Sequence, residues 1–507
     1  LKIVPLSTAL CLALSTLAGI SEVRLPHVIS DHAVLQRAAP IHIWGWATPG
    51  AHLKAHFHDQ TVPADADAIG AWSLYLAPET AGGPYTLTIT GDDADTKVED
   101  LLVGDVWFAS GQSNMEFPLN GFPGSAVLKN GPQEIAAATN PRLRLLLVGQ
   151  KISDFPLGDS PVAWADCTPE TAAKFSAVAY FFGRELAAKE DVPIGLIDSA
   201  WGGTPADSWV SLDTLGTNPQ LLPAFAARAR FADNLTNVDM KKAYEQREID
   251  AAKTAGKPAP NFPWHPFEGS WAPAGIYNGM VAPFTPYSLK GFIWYQGETN
   301  SGHDRAPYYR TLFPALIEDW RMHFAQGSLP FFFVQISSFN SPGEDWGTVR
   351  DAQRRTLSLV NTAMAVTLDV GEQENVHPPD KQTVGARLAL AARAMVYGEP
   401  VAYRSPLFRQ ATTQLQPDGT AAMRVWFDNA EKLSSHGKPV AGFELAGEDR
   451  HYLPANARLD GTTVVISSPT VPHPVYVRYG WTGYFDTNLF NAAGLPASTF
   501  TSDDSPL

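Results

Sequence analysis

Cysteine is almost missing from this chain: its 507 residues carry two. Cys11 lies in an apolar run at the start, so if that run is removed Cys167 is left alone and no intrachain disulfide can form. Basic residues are scarce as well, with 37 lysines and arginines against 52 aspartates and glutamates. The resulting formal charge of -15 keeps the protein soluble and argues against nucleic acid as a partner. A small anionic ligand stays open, since one arginine suffices to hold it. Long apolar runs are also few. The run from Leu1 to about Gly19, with Lys2 ahead of it and Ala18-Gly19 behind, is too short and interrupted for a comfortable membrane span. It has the make-up of a secretory signal, without a lipobox ahead of Cys11, and predicts a secreted or periplasmic protein with no membrane partner. Zinc-type Cys/His spacing, a GxGxxG turn after a strand and a Walker-type loop are all absent, so neither a metal nor an organic cofactor is expected.

What is present is ample apolar sequence, and a length that exceeds what one hydrophobic core usually serves, so two or three domains are expected. From residue 20 to 100, the short β-prone runs Ile41–Trp46, Leu53–Phe57, Trp72–Leu76 and Tyr85–Ile89 are separated by Pro49-Gly50, Gly82-Gly83-Pro84 and Gly91-Asp92-Asp93. Such spacing predicts a small antiparallel β-domain. The acidic stretch from Asp92 to Asp100 lacks calcium-loop spacing and reads as a solvated turn. From 101 to 398 strand-like runs (Leu143–Val148, Ile194–Ile197, Gly291–Tyr295, Phe331–Ile336) alternate with helix-like ones (Ala173–Ala188, Tyr308–Phe324, Gly347–Val360, Lys381–Met395). That alternation implies an α/β unit, a parallel sheet flanked by helices on both faces. Within it, residues 215–274 read as a helical excursion that ends in an aromatic loop with Trp264, His265, Phe267 and Trp271, a candidate wall of the site. From 399 to 507 the chain returns to β-prone runs, Ala421–Phe427, Thr463–Ser467 and Pro474–Tyr479, which predicts a second accessory β-sandwich domain.

In a parallel sheet, reactive groups collect at the carboxyl ends of strands. The apolar run through Val106, Trp107 and Phe108 leads directly into Ser110-Gly111-Gln112-Ser113-Asn114, a small-residue turn suited to displaying a hydroxyl with its backbone N–H facing an oxyanion. Three further segments fit the same site in order: Trp201-Gly202-Gly203-Thr204, then Trp294-Tyr295-Gln296-Gly297-Glu298-Thr299-Asn300, then Glu374-Asn375-Val376-His377-Pro378. With these four blocks the chain resembles the sialate O-acetylesterase family of SGNH hydrolases, from Leu25 to about Phe500. The resemblance implies a serine esterase that removes O-acetyl groups from carbohydrate through an acetyl-serine intermediate.

Acyl transfer of this kind needs a nucleophile, a base and donors for the developing oxyanion. Ser113 is the expected nucleophile and His377 the base, in a loop because Pro378 disfavours helical backbone before it. The family pattern has an Asp two residues before the His, where Asn375 stands here. Either Glu374 orients the imidazole or the site is a Ser-His dyad held by a backbone carbonyl. The expected oxyanion donors are the N–H groups of Ser113 and of Gly203 or Gly202, with a side-chain amide that the resemblance puts at Gln296, and Asn300 second. Trp201 and Trp346 offer aromatic faces to a sugar, and Arg305 and Arg350 are the candidate partners of a sialate carboxylate. Two readings compete with the sialate one. A plant polysaccharide such as acetylated xylan or xyloglucan is an alternative substrate, and a carbohydrate-binding protein with a decayed catalytic site is favoured by Asn375.

Overall fold

The computed structural model of the protein describes residues 23–504, apart from 92–94, 123–125, 234–235, 261, 263–265 and 267–268. The expected signal segment with Cys11, and Asp92, Asp93, Trp264, His265 and Phe267 of the expected loops, lie outside the described residues. Among the described residues no helix is long and apolar enough to cross a membrane. Cys167 is buried and free.

The central sheet is built on one strand, β1 (Asp95–Gly111). The expected boundary at residues 100 and 101 falls inside it. Its first half pairs antiparallel with Gly82–Thr90, in the N-terminal strands, and Leu102–Gly104 pair in parallel with Val34–Gln36. Its second half is the middle of the central α/β layer. The apolar alternation there explains why both faces are covered. Trp107 packs on Phe182 and Phe332, whereas Phe108 packs on Trp320 and Phe324.

After the short helix α1 (Ser113–Glu116), the chain runs through β2 (Asn140–Leu147), β3 (Trp164–Cys167), α2 (Ala177–Lys189) and β4 (Ile194–Ala200). The expected excursion forms the helices Leu222–Asp233 and Thr236–Thr254. The chain returns as β5 (Gly291–Tyr295), α3 (Ala306–Phe324), β6 (Phe331–Gln335), α4 (Trp346–Arg355), β7 (Thr362–Val366) and α5 (Lys381–Met395). The spatial order is β7-β6-β5-β1-β4-β2-β3. All neighbours are parallel except β2 and β3, so the sheet is mixed rather than wholly parallel, with an antiparallel edge. The chain leaves β1 toward one edge and later returns to build the other. The carboxyl ends of β1, β4 and β5 therefore flank the point where strand order reverses, the place where open α/β sheets form their crevice.

One apolar core runs from Val23 to Ala392, through the N-terminal strands and the central α/β layer alike. A second core, with Val425, Leu445, Ile466, Val477 and Phe500, lies between two four-stranded sheets of the C-terminal region.

Candidate active site

At the end of β1 the chain must turn while β4 and β5 press on it from both sides. Gly111 turns at φ 141, where a Cβ would stand 2.1 Å from the Tyr295 carbonyl oxygen, so only glycine fits. The turn is latched to both neighbours. Gln112 N–H donates to Tyr295 O at 3.0 Å, and Trp201 N–H donates to Gly111 O at 3.0 Å. Ser113 opens α1 half buried, and as a first-turn residue its N–H has no acceptor within the helix.

His377 reaches this turn from the loop between β7 and α5. Its Nε2 lies 2.9 Å from Ser113 Oγ. The Phe122 ring meets the imidazole edge-on at 5.2 Å. Burial, and then the charge of Lys381, pull the imidazole down to about 4, so at neutral pH it is uncharged and able to accept a proton. No hydrogen bond joins Glu374 to His377 among the described residues, and Glu374 is exposed. Asn375 explains why. Its Oδ1 accepts the His377 N–H at 2.9 Å, a tight turn two residues long that leaves Glu374 on the solvent side. The expectation that Glu374 orients the imidazole is therefore corrected.

The expected oxyanion donors divide. Gly202 N–H is already engaged by Glu116 Oε2 at 2.5 Å, and Gln150 Nε2 holds the other carboxylate oxygen at 2.8 Å. Burial raises the Glu116 carboxyl above its ordinary range. Gly203 follows at φ 72 in the left-handed region, its carbonyl pinned by Trp271 Nε1 at 2.7 Å. Its N–H and that of Ser113 are the two expected backbone donors without an acceptor among the described residues. Gln296 is corrected. It is wholly buried, and its amide donates to Asn300 Oδ1 at 2.7 Å and to Thr204 O at 3.3 Å. Asn300 Oδ1 also accepts Ala206 N–H at 2.9 Å, so the pair braces the Trp-Gly-Gly-Thr turn from behind. The side-chain amides that do line the cleft are Gln150 and Gln112, the latter with its Oε1 held by Thr299 N–H at 3.1 Å.

Ser113 and His377 open into a cleft of about 650 Å³ walled by Phe122, Trp201, Trp271, Arg305, Phe339 and Trp346. Trp201, Trp346 and Arg305, three of the expected substrate-facing residues, thus lie on the cleft wall. The Arg305 guanidinium lies 5.1 Å from the Trp271 ring centre, with Nη1 lacking a hydrogen-bond partner among the described residues.

The family model for carbohydrate esterase, sialic acid-specific acetylesterase, matches residues 268–394. The sialate O-acetylesterase of Homo sapiens is 31% identical, over 94% of this chain and 92% of that protein. The mouse protein (Mus musculus) of the same name is 29% identical over 90% and 89%. A crystal structure of a carbohydrate acetylesterase from Xanthomonas citri superposes with a TM-score of 0.80 at 36% identity, covering 96% of this chain and all of the other. The chain belongs to the sialate O-acetylesterase family of carbohydrate esterases.

In this carboxylic ester hydrolase, Arg350 is not a cleft residue. It is wholly buried and donates to five carbonyls, Ile336 and Ser337 beside β6 and Gly480, Thr482 and Gly483 of the C-terminal domain, at 2.7 to 3.3 Å. Burial holds its guanidinium down to about 9. Its expected role toward a sugar carboxylate is corrected to a clamp between domains. Residue patterns also passed over Gln112, Asn114 and Lys381 of this esterase. Gln112 and Asn114 stand in the quoted nucleophile block, and Lys381 carried a signal of its own, because a lysine directly after a helix-capping Asp sits at the end of a helix that repels cations.

Proposed function

We propose that the O-acetyl esters this carbohydrate esterase hydrolyses are borne by an acidic sugar, a sialic acid first. The observation that carries the choice of sugar is Arg305, a cation on the cleft wall whose enclosed Nη1 has no hydrogen-bond partner among the described residues, beside aromatic faces able to take the ring. His377 Nε2 takes the Ser113 hydroxyl proton as Oγ attacks the acetyl carbonyl. The oxyanion that forms faces the N–H groups of Ser113 and Gly203. When the C–O bond breaks, the proton passes from His377 to the departing sugar oxygen, which leaves as a hydroxyl. Water then attacks the acetyl-serine with His377 again as base, and acetate and the serine hydroxyl are restored. Support for the base comes from the 2.9 Å contact between His377 and Ser113 and from the neutral imidazole.

Acetate release from O-acetylated sialic acid, set beside acetylated xylo-oligosaccharides, tests the substrate. Faster turnover of the sialic acid is expected, with Ser113→Ala lowering kcat by at least about 10⁴-fold on either. Preference for the xylo-oligosaccharide would assign a plant polysaccharide instead. Wild-type protein inactive on every ester would leave carbohydrate binding without catalysis.

A further inference from the structure

Among the described residues no carboxylate is hydrogen-bonded to His377 as in a triad, yet its loop is bolted down by a different device. The bolt is Asn114, next to the nucleophile. Its Nδ2 donates to Glu298 Oε1 at 2.6 Å and to the carbonyl of Val376, the residue before His377, at 3.0 Å. Its Oδ1 accepts from Lys381 Nζ, at the start of α5. One amide therefore joins the nucleophile turn, the histidine loop, the Gln-Gly-Glu loop and the first turn of α5.

Lys381 sits where a lysine is costly. It is wholly buried, and it occupies the end of a helix whose dipole disfavours positive charge. Its surroundings compensate. The ammonium lies 4.8 Å from the Phe117 ring centre and 5.5 Å from that of Tyr295, and Glu298, Asp380 and Glu372 supply opposite charge. The charge of Arg350 also favours the ionised form of Glu298. Glu298 is nearly as buried as Lys381, and its second oxygen has no partner among the described residues. The two charges touch the same amide from opposite sides; Lys381 is shut off from the cleft, while Glu298 lies on its wall. A pair kept at such cost, and spent on a single asparagine, is a fastening for that asparagine.

We propose that Lys381, through Asn114 and against Glu298, is the positioning residue of this esterase, holding the His377 loop on Ser113 in the place a triad carboxylate would fill. The inference rests on the hydrolytic reading of Ser113 and His377. It has an electrostatic signature. Lys381 titrates near 7, so it is cationic throughout the acid range in which His377 takes up its proton. A cation there favours neutral imidazole. Removing it raises the pKa of His377 toward the ordinary imidazole value, and the acid limb of kcat/KM moves up in pH.

The test is the pH profile of kcat and KM on p-nitrophenyl acetate for wild type, Lys381→Met, Lys381→Gln and Asn114→Ala, with folding checked by circular dichroism. Lys381→Met should lower kcat about ten- to a hundredfold with KM little changed, and move the acid limb up. Lys381→Gln, which keeps a donor for Asn114 without the charge, should recover part of kcat but not the limb. Asn114→Ala removes the bolt and leaves both charges, so it should lower kcat without raising the limb. A folded Lys381→Met with wild-type kcat and wild-type acid limb overturns the proposal. Should that variant not fold, wild-type kcat in Asn114→Ala overturns it equally. An inactive wild type counts against the hydrolytic reading itself, and a titration of the His377 ring by NMR then still reads the effect of Lys381→Gln on the imidazole.

Discussion

Arg305 and Arg350 are the same side chain, 45 residues apart in one catalytic layer, and they end in opposite states. Arg350 is enclosed, and five carbonyl oxygens accept its N–H groups. Arg305 stands on the cleft wall with an ion pair to exposed Asp304 at 3.3 Å, and its Nε and Nη1 are enclosed without a hydrogen-bond partner among the described residues. The first guanidinium has consumed its donors in joining two regions of the protein. The second still has one to give. A cation is available to a ligand only when the fold has not already used its hydrogen bonds, and charge alone does not tell the two cases apart.

Substitutions can break this contrast or sharpen it. Arg350→Met should have the largest effect, about 3–5 kcal/mol of stability, because carbonyls on both sides of the seam lose their donor inside the protein. Chemical denaturation would read the loss, and limited proteolysis would show the C-terminal domain loosened first. Arg305→Gln should leave stability nearly unchanged and raise KM for O-acetylated sialic acid about tenfold, while KM for uncharged p-nitrophenyl acetate stays the same. An equal rise for both esters would make Arg305 a packing residue like its counterpart. The smallest effect is expected of Glu374→Gln, less than about threefold in kcat/KM, since loss of a true triad carboxylate costs about 10⁴-fold.

The sequence already contained the ends of the strands and hence the meeting of Ser113, Gly203 and His377, because short apolar runs closing in small residues are local patterns. Thr362–Val366, rich in alanine, and the edge strand Trp164–Cys167 carried weaker local patterns, and the antiparallel edge went unforeseen. What remained hidden depends on partners far along the chain. Gly202 N–H is engaged by Glu116, 86 residues earlier, and the Gln296 amide is spent on Thr204. Neither commitment leaves a trace in residue type. The same holds for Arg350, whose enclosure is decided by carbonyls 130 to 133 residues further along the chain. Glu374 failed for a local reason, the turn that Asn375 makes with the next residue but one.

The continuity of β1 limits how this protein can be trimmed. Its residues from Asp95 to Gly111 belong at once to the N-terminal strands and to the sheet that presents Ser113. A truncation at residue 100 would saw through a single backbone rather than detach a module, and the hydroxyl would be left on a stump without its anchorage. The smallest working enzyme therefore includes the N-terminal strands, and tags or fusions that pull on them tug directly at the nucleophile.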